Sequence, residues 1–150
     1  MNAVDIIAKM EDMEQGALVF EPTNVLKKRQ AIEKAFPAQR PNEMQQALHD
    51  GFVLAFNIVE RAGYNAKKAA FEARRLLLRL LSDTKTIAKS DMVAQGLIAG
   101  IVFCDEAIST GWEVILECLR TAYYYVSEAA QHLRQMEIQQ TYKAHQLVNA

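Results

Sequence analysis

Apolar positions recur at helical spacing along most of the chain. Ile6, Met10 and Met13, with Val4 and Ile7 beside them, make one stripe of a first helix. Asn2 suits its N-cap and Gly16 its C′ position. Residues 17–21 (ALVFE) read as a short extended stretch ended by Pro22. Thr23 or Asn24 then caps a small helix to about residue 35, with Val25, Ile32 and Phe36 on one side. Phe36 to Pro41 is a linker, because a residue before proline is pushed out of the helical region.

The pattern is strongest after that linker. Pro41–Asn42 with Gln45 makes a capping-box-like start. Met44, Leu48, Phe52, Ala55, Phe56 and Val59 follow at helical spacing until Gly63 stops the run. Asn65 caps the next helix, over 66–82, with Ala69, Ala73, Leu76, Leu77, Leu80 and Leu81 as its core face. The polar stretch 82–89 holds a turn, and Ser90 caps a helix over about 91–108. Thr110 with Glu113 forms a second capping box, opening a long helix that reaches at least Met136.

Two of these helices carry further information. The 91–108 helix is apolar on nearly every side: Val93, Leu97, Ile101, Cys104 and Ile108 form one face, Ile98 and Val102 another. Such a helix belongs in the interior. Gly96, Gly100 and Ala107 share a strip, and a helical glycine costs about 1 kcal/mol relative to alanine, so close approach of another backbone is expected there. The GLIAG spacing matches no phosphate-binding loop. In the last helix Trp112, Leu119, Val126 and Leu133 lie seven apart, with Ile115, Ala122, Ala129 and Met136 between them. From 111 to 136 it would be about 39 Å long, more than the 43–61 helix can cover, which predicts a homodimer sharing this seam.

Composition agrees with the pattern. Glycine and proline together number nine in 150, and all three prolines fall in the first 41 residues, as an all-α chain requires. With 51% hydrophobic residues, 23% charged residues and mean hydropathy −0.08, the chain is neither disordered nor low-complexity. A chain of 150 residues can bury about two-thirds of its unfolded surface and needs no disulfide or metal to fold. No internal repeat or dividing linker is visible. The expectation is a single-domain helical bundle of five to six helices. Its parts are peripheral N-terminal helices and linker (1–41), a bundle core (42–136), and a helix extension or frayed tail (137–150).

Charge is uneven although the net is −1: residues 41–89 carry eight Lys/Arg against five Asp/Glu, and residues 90–150 three against seven. Helices that pair with one another, or separate binding surfaces, would both produce this. Cys104 and Cys118 have no CxxC or zinc spacing and read as buried free thiols. Asp5 stands where a secretory leader wants basic residues, and the most apolar stretch, Met92 to Cys104, is too short to span a bilayer. A cytoplasmic protein without membrane association is expected.

Candidate sites are surfaces rather than chemistry. On the 66–82 helix, Lys68, Arg75 and Arg79 line one side and Lys67 and Arg74 another, with Phe71 and Leu78 between them outside the main apolar arc. This is either a second buried face beneath snorkelling cations, a protein interface, or a nucleic-acid groove, the last disfavoured by pI ≈ 6.3. Of the consecutive Tyr123, Tyr124 and Tyr125, Tyr124 lands among Glu113, Glu117 and Glu128, where it could anchor a protein but not a phosphate backbone. Glu128 and His132 stand at i,i+4, but the Glu-x-x-His spacing of helical di-iron sites is absent. Glu11, Asp12 and Glu14 read as a solvated acidic face rather than a magnesium site, and His49, His132 and His145 sit on three different polar faces. No catalytic residue, metal site or cofactor is predicted. The leading expectation is a non-enzymatic oligomeric adaptor, chaperone or stoichiometric inhibitor of another protein. The alternatives are a nucleic-acid-associated protein using the basic helix and a metal-dependent helical-bundle hydrolase.

Overall fold

The computed structural model describes residues 3–35, 43–82 and 87–106, with Glu117 and Gln135 beyond them. The protein is all-α. Among the described residues there are five helices and no strand: α1 (Ala3–Gln15), α2 (Pro22–Ala35), α3 (Glu43–Arg61), α4 (Ala66–Ser82) and α5 (Ile87–Phe103). Phe36, Pro41 and Asn42, with Asn2, lie outside the described residues.

The most extensive contact joins α3 to α5, and it is backbone against backbone. Gly51 of α3 faces Gly96 of α5: a Cβ on Gly51 would lie 2.8 Å from the Gly96 Cα, and one on Gly96 would lie 2.9 Å from the Gly51 Cα. The α-hydrogen in the Cβ position of Gly51 points at the Val93 carbonyl, and that of Gly96 at the Leu48 carbonyl. Such reciprocal Cα–H···O contacts add about 0.5–1 kcal/mol each. One turn on, Gly100 accommodates Ala55. The expected close approach at Gly96 and Gly100 is thus present, while Ala107 lies outside the described residues. Leu48, Phe52, Phe56, Val59, Leu97 and Ile101 fill the flanks of the contact, and the chain is buried without a break from Ala94 to Asp105, through the end of α5. Met44, placed on the core stripe by its spacing, is exposed in the first turn of α3.

The α3–α4 connection forms as its residues dictate. Gly63 N–H donates to Glu60 O (3.0 Å) and Tyr64 N–H to Val59 O (2.9 Å), which is a Schellman closure with Gly63 at C′ and φ +62°. Tyr64 also has φ +62°, a conformation costly for a residue with a Cβ. It is held because its carbonyl accepts from Phe20 N–H (2.7 Å) and its ring packs on the core. Asn65 then caps α4, its side-chain oxygen accepting from Lys68 N–H at 3.0 Å. The extended stretch 17–21 supplies the other half of this corner, with Val19 bridging Asn65 and Leu18 O accepting from Ala66 N–H (2.9 Å).

Three boundaries differ from expectation. In α2, Pro22 is the first helical residue and Glu21, not Thr23 or Asn24, caps it: the Glu21 carboxylate accepts from Asn24 N–H at 2.7 Å. Donation from the Asn24 and then the Thr23 backbone holds the Glu21 carboxyl below the ordinary value. In α5, the helix starts at Ile87 and absorbs Ser90, which is buried within it rather than capping it. Serine is only mildly disfavoured inside a helix, so packing decides. The same helix stops at Phe103, short of Ile108, with Cys104 and Asp105 donating to the Ile101 and Val102 carbonyls at 3.2 and 3.1 Å to tighten the last turn.

Candidate interaction surface

Helix α4 is set by its two neighbours. Ala66, Ala69, Ala70, Ala73 and Leu77 are buried against the core, and small side chains there let α1 and α5 lie close on that side. Leu76 and Leu80 are half-buried, and the Leu81 side chain lies outside those described. The opposite side is open. Phe71 is 56% exposed, and Leu78 is half-buried. Around Phe71 stand Lys67, Lys68 and Arg75, all exposed, with Arg79, also exposed, beyond them. Arg74 is not part of this open fringe: it turns to Glu14 at the end of α1, pairing at 2.9 Å with both side chains partly buried. Glu14 therefore locks α1 onto α4 rather than joining Glu11 and Asp12 in one solvated acidic face.

Phe71 stands between two depressions. The larger, about 860 Å³, runs between the end of α1 and α4, with Gln15, Asn65, Lys67, Lys68 and Leu78 on its walls. The smaller, about 360 Å³, lies toward α3, between Ile58, Arg61 and Ala62 on one side and Lys68 and Glu72 on the other. The structure thus brings together Lys68, Phe71, Arg75 and Leu78 on one wall, as the helical spacing implies, and adds the α1 wall, which no spacing within α4 could reveal.

A second cluster was missed in the sequence. Lys28 has no exposed surface. Its Nζ donates to Asp105 O (2.5 Å) and lies 4.9 Å from the centre of the Phe103 ring. One turn earlier on α2, Asn24 Nδ2 donates to Cys104 O at 3.2 Å, and Lys9 of α1 pairs with the Asp105 carboxylate at 2.5 Å. A cation at the C-terminal end of a helix meets the negative end of its macrodipole, so Lys28 stabilises the buried chain end just beyond α5. The available signal was positional: Lys28 lies at i+3 of the Val25–Ile32 stripe, on the buried face. Beside it the Cys104 thiol donates to Gly100 O at 3.3 Å. Burial pushes its pKa up to about 12, against a smaller opposing pull from Lys28.

Trp112, Leu119, Val126 and Leu133 of the proposed seam lie outside the described residues, as do Tyr123, Tyr124, Tyr125, Cys118, Glu128, His132 and His145. Among the described residues no three His, Cys, Asp or Glu side chains are grouped so as to hold a metal ion, and no helix is long and apolar enough to cross a membrane. Comparison with known proteins finds no matching family model, curated protein or solved structure.

Proposed function

We propose that this chain is a non-enzymatic protein-interaction module, acting as an adaptor, chaperone or stoichiometric inhibitor, and that it engages its partner through the outer face of α4. One observation carries the reading: Phe71 is held 56% exposed within a cationic fringe and between two depressions. Fully covering an exposed phenylalanine is worth about 1.5–3 kcal/mol, and at 56% exposure roughly half of that is left for a partner to take up. The cations around it would set register and association rate more than affinity.

Two further parts of the proposal concern assembly. The helix expected from about 111 to 136 completes a helical bundle and extends beyond it, and its seam of Trp112, Leu119, Val126 and Leu133 pairs with a second copy. The protein works in the cytoplasm, as a dimer, with Tyr124 on an acidic outer face as a secondary contact.

The test is photo-crosslinking in the native host, with a benzophenone amino acid at position 71 and, as a control, at the exposed position Lys34 on α2. A discrete polypeptide adduct formed from 71, absent from 34 and lost on Arg75→Glu, is the expected result. Equal adducts from both positions would remove α4 as the docking face. Adducts to RNA from position 71, with binding that falls steeply as salt rises, would move the surface to nucleic acid.

A further inference from the structure

The charges in the first turn of α4 are placed against its own stability, although Arg79 in the last turn is well placed. Lys67 and Lys68 sit in its first turn, where the macrodipole is positive and an acidic side chain would be favoured, yet that turn contains no acidic residue. Neither ammonium is ion-paired with a described residue. Among the described residues on the larger groove the one carboxylate, Glu14, is already engaged by Arg74. Arg75 pairs, among the described residues, with Glu72, at 3.9 Å and with both side chains exposed, a pairing that is readily exchanged. Three exposed cations thus surround an exposed aromatic ring, two of them at the helix end least suited to them.

Resting on the interaction reading above, we infer that the segment docking in this groove is an acidic peptide. Its carboxylates meet Lys67, Lys68 and Arg75, and an aromatic or aliphatic side chain lies on Phe71 and Leu78. The apolar wall favours a polypeptide over a nucleic-acid backbone, and so does a chain with net charge −1. The arrangement also explains the misplaced lysines: an anionic partner supplies the negative charge that the first turn of α4 lacks.

Selection from a displayed library of short random peptides on the full chain tests this. The expected winners are rich in Asp and Glu around one aromatic or aliphatic residue. Their affinity should fall roughly tenfold or more with Lys67→Glu and Lys68→Glu together, and by a similar factor when the peptide's acids are changed to amides. The double reversal puts acids where the helix dipole favours them, so the melting temperature should hold or rise, which separates lost binding from lost folding. Neutral winners that survive the charge reversal but are lost with Phe71→Ala would overturn the acidic partner and leave the docking face standing. No enrichment beyond that on Phe71→Ala, or winners indifferent to both changes, would overturn both. A single-stranded RNA that displaces the best peptide would overturn the peptide assignment.

Discussion

At the end of α5 the Cys104 thiol is buried, donates to Gly100 O, and has its pKa raised to about 12. Only the thiolate is nucleophilic, so a buried thiol that holds its proton this strongly is scarcely reactive at pH 8. Native protein treated with iodoacetamide at that pH should remain unlabelled at Cys104 by peptide mass mapping, and become labelled in denaturant. Labelling at the rate of a free thiol would contradict the burial. The unfolded thiol ionises near its ordinary value of 9.0 while the folded one holds its proton to about 12. Stability from this group is therefore whole below pH 9 and is lost as pH rises through that interval. Lys28 allows a sharper test at the same scale. Lys28→Ala removes the donor to Asp105 O and leaves a void, at a cost of about 2–5 kcal/mol. Lys28→Met fills the space and removes a buried charge, so urea melts should place it well above the alanine variant. Neither residue could be weighted this way in the sequence. Cys104 reads as buried from its apolar surroundings, but a lysine on an apolar stripe reads as a surface residue until the carbonyls it serves, contributed by a distant helix end, are known.

Among the helices, the glycines separate local from long-range information. Gly63 closes α3 and Asn65 opens α4 through contacts within a few residues, so both were legible. Gly96 and Gly100 were legible as a site of close approach, because glycine inside a buried helix needs a reason. Their partner Gly51 was not, since one glycine in an amphipathic run does not name the helix that will meet it. The same limit hid the caps of α2 and the ends of α5, where Glu21 and packing overruled better-looking local candidates. The expected outcome of substitution follows from this contrast. Gly51→Ala and Gly96→Ala would drive a Cβ into backbone atoms that cannot rotate away, and each should cost about 3 kcal/mol or more in chemical denaturation. Gly63→Ala meets nothing within 4 Å and should cost only the left-handed penalty of about 1–2 kcal/mol. Equal costs at 51 and 63 would mean that α3 and α5 do not touch through their backbones.

For the molecule as a whole, helix dominates: 85% of the described part is helical, and far-UV circular dichroism of the chain should exceed about 65% helix, against a common value near one-third. Assembly is read by sedimentation. Charged replacements at Leu119 and Val126 should convert a dimer to a folded monomer, and wild-type protein already monomeric at high micromolar concentration would remove the proposed shared seam. The α4 face was legible as a set of residues and not as a surface: the heptad spacing of Phe71 and Leu78 placed them outside the main arc, but only the packing of α1 determined that Arg74 is occupied and that a groove lies beside the ring. Phe71→Ala should lower the melting temperature little, as a substitution at a half-open position does. A loss of about 3 kcal/mol would mark a buried ring and end the docking argument.

The attachment of α1 and α2 to residues 104–105 has a mechanical meaning. Lys9, Asn24 and Lys28 all grip the chain at the point where it leaves α5. A helix pulled from a bare end unravels turn by turn, each hydrogen bond bearing the load alone. A pull arriving from residue 106 onward is instead spread at once over three contacts to two other helices, which resist together in shear. Any tension on the chain beyond residue 106 would thereby reach α1 and α2 before it could strip α5 from α3, and those two helices would shield the one that carries the backbone-to-backbone seam.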